Sequence, residues 1–488
     1  MPARVENPDD PIATMYHTRE TTDRASLTRR GFLTGAAATL GALGLAACGR
    51  SADAPTRLPQ PTLARSTTFP LRCAPNRRFL ETSGGAPFFL LGDTAWSLAV
   101  SASQPDAARY LNNRKAKGFN AFAFNAIEAE FAGGHGNTAP NNWYGQSPFR
   151  NPQDFTTPRE EYWTNVDFIV QQAAALDMLG VIFPAYEGYG QGNQGWYRQM
   201  AAQGVTKLHR YGAWLAERYR NYDNILWVAG GDNDAANKEL TKAIVGGIQS
   251  VSTEWLFSWH GGRNTNALSF WADDPGWLDL NAIYDSAARA AANAKAAYDS
   301  PTVKPFARIE DTYENPIVGA VSPAFIRWLA WSSALQGGTG AIYGDVAVWR
   351  FNGPGVVKDP TSWVDAMERP AGSSMRYLKR LFESRPWTKL VPDFDNDTWM
   401  SADSPAVNLS AFADDRSFGI AYAVNASKEL TFDLHKLAGP HVRVSWYDPT
   451  SGGFVDDGTY AVGGSRSFVR KALNAEGSAD WALLFESM

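Results

Sequence analysis

An alternation repeated along residues 88–383 constrains this chain more than any other feature: a short apolar run, a helical stretch, then another apolar run. The runs are Phe88–Asp93, Phe119–Asn125, Val181–Pro184, Ile225–Ala229, Trp255–Trp259, Leu278–Ile283, Phe306–Glu310 and Ala341–Tyr343. Helical patterns are predicted at Gln104–Lys117, Pro158–Leu179, Val205–Tyr222, Ala235–Val251, Ser286–Tyr298, Pro323–Leu335 and Ser373–Glu383, and no clear helix follows the fifth run. Short, continuously apolar strands separated by helices need cover on both faces, which means a parallel sheet. Eight of them predict an α/β fold, a (β/α)8 TIM barrel; a doubly wound open sheet is the rival.

After Pro392 the helical periodicity stops. Runs such as Phe418–Val424, Leu430–Asp433, Val442–Tyr447 and Trp481–Phe485 alternate with Gly, Asp, Asn and Ser turns, the texture of a small all-β sandwich. Before the barrel the chain carries an address. Thr28-Arg29-Arg30-Gly31-Phe32-Leu33 is a twin-arginine pattern, followed by a short Gly/Ala-rich apolar stretch that ends Leu45-Ala46-Ala47-Cys48, similar to a bacterial lipobox. That stretch falls short of the roughly 20 apolar residues that span a bilayer. The expected organisation is therefore a signal peptide over 1–47, a lipid-anchored flexible linker over 48–74, a barrel over 75–390 and a sandwich over 391–488. The expected destination is a membrane-anchored lipoprotein, periplasmic or at the cell surface, touching membrane only through lipid on Cys48. With Cys48 lipidated, Cys73 has no intrachain partner, so disulfides do not build this fold.

Charge excludes one partner class. Lys+Arg total 45 against 50 Asp+Glu, and no basic stripe is present, so the sequence offers nothing to neutralise nucleic-acid phosphates. The unusual count is 18 Trp, which suits either flat faces for stacking on sugars or a Trp-rich core.

Barrel chemistry sits at the C-terminal ends of the strands. The residues at or just past those ends are Asp93, Asn125, Glu187, Asp232, His260, Tyr284, Glu310 and Tyr343. Asp232 follows two glycines that let the backbone turn and present its carboxylate, and Glu310 closes Phe306-Ala307-Arg308-Ile309-Glu310. Such a pair is the minimum equipment for glycoside cleavage, one carboxyl giving a proton and the other meeting the developing positive charge. Spacing alone leaves a structural alternative open, with Asp232 capping the next helix and Glu310 pairing with Arg308 or a neighbour.

Further motifs tip that balance. Gly85-Ala86-Pro87-Phe88-Phe89-Leu90-Leu91-Gly92-Asp93-Thr94-Ala95-Trp96, Lys117-Gly118-Phe119-Asn120, Tyr162-Trp163 with Val166-Asp167, Asn224-Ile225-Leu226-Trp227 before Gly230-Gly231-Asp232, Glu310-Asp311-Thr312-Tyr313-Glu314, and Gly340-Ala341-Ile342-Tyr343-Gly344 with Trp349 occur in that order. With Leu381-Phe382-Glu383-Ser384-Arg385-Pro386-Trp387 and Trp446-Tyr447-Asp448-Pro449, the chain from Arg78 to Ser487 resembles the apiosidase-like glycoside hydrolases, glycoside hydrolase family 140. The resemblance implies a TIM barrel with a C-terminal β-sandwich and retaining hydrolysis of β-apiofuranosides in pectin side chains. It makes Asp232 the acid/base and Glu310 the nucleophile. The chain departs from the family pattern at Asp311, where Pro is expected, and at Asn233-Asp234, where a basic residue is expected; both flank the pair and bear on substrate identity.

The remaining candidates form an expected sugar site. Asp93 would accept sugar hydroxyls, Trp96 or Trp349 would stack, and His260 would donate to a hydroxyl; Asn125, Tyr186, Glu187, Tyr284, Tyr313 and Tyr343 would line it. The alternatives are a non-catalytic carbohydrate-binding lipoprotein, or an enzyme of this fold acting on another furanoside such as a D-arabinan or galactofuranose glycan. No metal or organic cofactor is implied. Gly190–Gly195 fits GxGxxG but runs into Trp196-Tyr197 and not straight into a helix, and Asp393, Asp395 and Asp397 start like a calcium loop that then lacks its glycine and glutamate.

Overall fold

A computed structural model describes residues 66–129, 140–152, 154–315, 320–353, 360–394, 399–401 and 408–488, with the backbone of Tyr16–His17. The expected leader, Cys48 and most of the linker lie outside the described residues, as do Asp395 and Asp397.

Eight parallel strands form the barrel: β1 Leu90–Thr94, β2 Ala121–Asn125, β3 Leu179–Phe183, β4 Ile225–Gly230, β5 Leu256–His260, β6 Asn281–Tyr284, β7 Phe306–Glu310 and β8 Gly340–Tyr343. Ladders join β1 through β5 in sequence, β6 to β7, β7 to β8, and β8 back to β1. Between β5 and β6 there is a seam with no strand ladder. It is pinned at its lower end by Asp279 and Leu280 N–H groups on Phe257 O and by Ser258 Oγ on Leu280 O. The expected closed barrel is thus present with one seam, and the open doubly wound sheet is not.

Alternation along the strands divides the side chains between two cores. Leu90, Ala121, Ala123, Val181, Leu226, Val228, Leu280, Ala282, Ala307 and Ile342 fill the barrel, while their strand neighbours Leu91, Phe122, Phe124, Ile182, Trp227, Phe257 and Trp259 pack outward against the helices. The helices are α1 Gln104–Ala116, α2 Glu160–Ala175, α3 Tyr197–Tyr219, α4 Lys238–Gln249, α5 Ala290–Tyr298, α6 Pro323–Leu335 and α7 Pro370–Glu383. Ser103 caps α1 through Asp106 N–H, Asn237 caps α4 and Ser322 caps α6, each satisfying an orphan donor of the first turn. Several expected helix boundaries move by three residues or more, and two of the shifts have a visible backbone cause. The second helix stops at Ala175 because Asp177 is left-handed (φ 50°), and the third begins early, kinked at Gly204. After β5 no long helix forms: the connection carries the two-residue strand Thr265–Asn266, which pairs antiparallel with β6, one turn at Ala267–Phe270 and a 3₁₀ turn at Pro275–Trp277.

The C-terminal strands are β9 Leu390–Pro392, β10 Met400–Ser401, β11 Leu409–Ala413, β12 Phe418–Ala423, β13 Leu430–Asp433, β14 His441–Tyr447, β15 Phe454–Ala461, β16 Ser465–Phe468 and β17 Trp481–Ser487. They pair antiparallel into a six-stranded and a three-stranded sheet, around a core that includes Trp399, Phe432, Trp446 and Phe485. The six-stranded sheet lies on α6: Trp331 stacks on Tyr422 at 4.9 Å, and Arg327 forks onto Asp480 with both bonds 2.8 Å and reaches Glu476 at 2.7 Å. Tryptophan proves to be core material, since Trp163, Trp227, Trp259, Trp271, Trp328, Trp331, Trp399 and Trp446 are fully buried.

Candidate active site

The mouth of the barrel is built by two departures from regular strand geometry. At the end of β4, Gly230 (φ 92°) and Gly231 (φ 120°) take conformations that L side chains rarely adopt, and Asp232 follows at φ 50°. A Cβ on Gly230 would lie 2.3 Å from His260 O, so only glycine lets the turn close against β5. A left-handed aspartate costs about 1–2 kcal/mol. Its backbone N–H is held by His260 Nδ1 at 3.3 Å, and its Oδ2 accepts the Tyr186 hydroxyl at 2.9 Å. The second departure is a bulge in β7: Ile283 lies opposite Arg308 but Tyr284 lies opposite Glu310, which leaves Ile309 as an extra residue. By strict alternation Glu310 would face outward with Arg308. The bulge re-aims it into the mouth, the usual work of a bulge beside a site.

There Glu310 Oε1 accepts the Tyr313 hydroxyl at 2.6 Å, and that oxygen in turn accepts the Trp96 indole N–H at 2.6 Å. Glu310 Oε2 lies 2.8 Å from His260 Nε2, off the N–H axis. One oxygen of Asp232, one of Glu310 and one nitrogen of His260 all fall within 4.8 Å of one another. Phe183 and Trp96 wall the imidazole edge-on at 5.7 and 6.1 Å, Tyr284 lies 5.1 Å away, and Trp349 stacks on Tyr313 at 5.3 Å.

Burial pushes the Asp232 carboxyl up to about 7, and the charge of Glu310 adds to the rise; His260 and the Tyr186 hydroxyl oppose it. For His260, burial alone would lower the imidazole, yet contact with Glu310 and the charges of Glu310 and Asp232 outweigh it and hold the ring above 6.5. Geometry opposes a second proton there, because one entering at Nδ1 must displace the Asp232 N–H. The same geometry bears on metal. Asp232, His260 and Glu310 form a convergent donor set, but Nδ1 is taken by that N–H and Nε2 then carries the ring proton, leaving no lone pair for an ion.

The structure brings together Asp232, Glu310, His260, Tyr186, Tyr284, Tyr313, Trp96 and Trp349. Four expected site residues lie elsewhere. Asp93 points out of the barrel, fully buried on Arg114 Nε (2.6 Å) and the Tyr110 hydroxyl (2.9 Å), so it does not accept sugar hydroxyls; its neighbour Gly92 is the inward residue. Tyr343 also points outward, donating to Glu314 at 2.6 Å, and Glu187 is buried under α4, accepting from Thr241 at 2.6 Å. Glu314 itself takes the Ala371 and Gly372 N–H groups at the start of α7. Asn125 is buried with its amide on Glu128 at 2.7 Å. Glu128, pushed up to about 7 by burial, and the wall residue Phe183 had drawn no attention in the sequence. Neither had Arg263, whose guanidinium lies 5.3 Å from the Tyr284 ring. A signal for Arg263 existed: Gly261-Gly262-Arg263 after β5 echoes Gly230-Gly231-Asp232 after β4.

Comparison with known proteins agrees with this architecture. Residues 401–486 match the family described as "Putative collagen-binding domain of a collagenase". No curated protein sequence matches the chain. Among solved structures, a glycoside hydrolase aligns with TM-score 0.74 at 21% identity, covering 86% of this chain and 99% of its own. A glycoside hydrolase family 5 protein from Bacteroides vulgatus aligns with TM-score 0.75 at 22% identity, covering 86% and 95%. At such identities these two show a shared fold. Residues 74–389 match the family described as "Apiosidase-like, catalytic domain". By that match over most of its length the chain belongs to the apiosidase-like glycoside hydrolases.

Proposed function

We propose that the chain removes a terminal furanose from a polysaccharide with retention of configuration, using Glu310 as nucleophile and Asp232 as acid/base. The observation that carries this reading is two carboxyl oxygens within 4.8 Å in unlike surroundings. Retaining enzymes keep their carboxyl groups about 5–5.5 Å apart and inverting ones about 6.5–9.5 Å to admit water; the 4.8 Å bound is on the nearest oxygens and so favours the closer class without fixing the group separation. A carboxyl at about 7 still holds its proton near neutrality, as the acid role requires.

In the first step Glu310 Oε bonds to the anomeric carbon as the glycosidic C–O bond breaks, and the proton of Asp232 goes to the departing oxygen. In the second, Asp232 takes a proton from water, the water oxygen bonds to the anomeric carbon, and Glu310 leaves as carboxylate. The Tyr313 hydroxyl holds the attacking carboxylate in line, and Trp96 fixes that hydroxyl by occupying its acceptor side. The twin-arginine pattern and Cys48 support an exported, lipid-anchored location for this work.

The test is an aryl-glycoside panel of apiofuranoside, arabinofuranosides, galactofuranoside and common pyranosides, with NMR of the first-formed anomer. Release of one furanose as the retained anomer, abolished in folded Glu310→Gln, is expected. Inverted product overturns the assignment of Glu310 as nucleophile. Failure to cleave any furanoside, with binding retained, favours a carbohydrate-binding protein.

A further inference from the structure

His260 stands between Asp232 and Glu310 and touches the backbone of the first and the carboxylate of the second by different nitrogens. Its Nδ1 accepts the backbone N–H of Asp232 at 3.3 Å, which makes that nitrogen bare in this geometry. The ring proton of the neutral imidazole then sits on Nε2, and Glu310 Oε2 lies 2.8 Å from that nitrogen but off the N–H axis, a close electrostatic contact and not an aligned hydrogen bond. The ring is 3% exposed and confined by Phe183, Trp96 and Tyr284, so it has little freedom to turn over. Asp232 adopts a left-handed backbone between flanking positive-φ glycines and a buried Asn233, and the Nδ1 bond opposes its relaxation.

We propose that His260 is a positioning residue serving both carboxylates at once, a neutral Nε2–H imidazole whose Nδ1 pins the backbone of Asp232 and whose Nε2–H steadies Glu310. This rests on the roles given above to Asp232 and Glu310, and it replaces the expectation that His260 donates to a sugar hydroxyl. The two ends of the ring separate the two duties. Holding Asp232 matters when a poor leaving group needs its proton; holding Glu310 matters whatever leaves.

Two substitutions divide the duties. His260→Asn keeps an acceptor near the place of Nδ1 and removes the donor at Glu310. His260→Gln extends a donor to the place of Nε2 and removes the acceptor for Asp232. On the furanoside that the wild type cleaves, His260→Gln is expected to lose about 100-fold with an alkoxide leaving group and under about 10-fold with a dinitrophenolate, the range of lost acid assistance. His260→Asn is expected to lose by a similar factor on both. Losses in both variants that ignore the leaving group overturn the proposal, as a merely structural histidine would give that result.

A second measurement needs no substrate. Nitrogen-15 histidine spectra of the full chain, with six histidines and the His260 signal identified by its loss in His260→Asn, report which nitrogen carries the proton in the deprotonated ring. The Nε2–H form is expected. The Nδ1–H form overturns the positioning role whatever the substrate proves to be. If no glycoside is cleaved while the Nε2–H form is found, the furanosidase reading falls and the positioning of the two carboxylates stands.

Discussion

Asp232 and Glu310 carry the same chemical group and differ in what surrounds it. Asp232 meets one phenol, one backbone contact and a nearby like charge, and its carboxyl rises to about 7 through burial and that charge. A folded-state value above the ordinary 3.8 means that the native chain binds a proton the unfolded chain has already released. Between those values stability falls as pH rises, because the native state is the one holding more protons. Asp232→Asn should therefore raise the melting temperature at pH 8 by about 2 °C and leave it unchanged at pH 4. A calorimetric series across that window checks it; an equal gain at pH 4 would tie the effect to packing and not to the proton. In activity, the wild type should lose kcat/KM above pH 7 as Asp232 ionises. That alkaline limb should be missing from the residual rate of Asp232→Asn.

At the scale of strands and helices, the parity of a single position decides what a residue can do. Asp93 and Gly92 are neighbours on β1, yet one faces α1 and the other the barrel. The apolar runs and helix stops made the eight-fold alternation legible, and the glycine pair before Asp232 made that residue legible as a site. Parity was harder, since the residue at a strand's end was chosen by position along the chain and not by the face it occupies. Asp93 and Tyr343 failed for that reason. Glu310 was legible as the residue closing the seventh run, and the resemblance gave it a role, but the bulge that turns it into the mouth is announced by no residue type. The outward parity of Asp93 has a measurable consequence. Arg114→Met leaves a fully buried carboxylate without its cation and should cost about 3–5 kcal/mol in denaturant unfolding. Because neither residue reaches the mouth, kcat/KM of the folded enzyme should stay at the wild-type value. A raised KM with unchanged stability would return Asp93 to the sugar site.

Over the whole molecule, the β-sheet region and the barrel share a buried ion cluster and an aromatic stack at α6, so they should melt together. Arg327→Met removes the cation from fully buried Asp480, leaving it the Tyr422 hydroxyl and the Asn474 amide, and should turn one calorimetric transition into two. A single transition at unchanged temperature would show that apolar contact alone joins them. The seam between β5 and β6 acts at the same scale. Asp232 belongs to the strands on one side of it and Glu310 to those on the other. The ring is joined at this place without a β5–β6 ladder: hydrogen bonds hold its base, the short strand Thr265–Asn266 pairs with Tyr284 and Ile283 along the rim of β6, and His260 on β5 reaches Glu310 across the mouth. Amide exchange should be faster along the rim half of β5, whose seam edge pairs with no strand among the described residues, than along the ladder of β2 and β3, and equal protection would show the joint to be stiff. Faster exchange there would mean that side-chain contacts across the joint, and not the sheet, set the spacing of the two carboxyl groups.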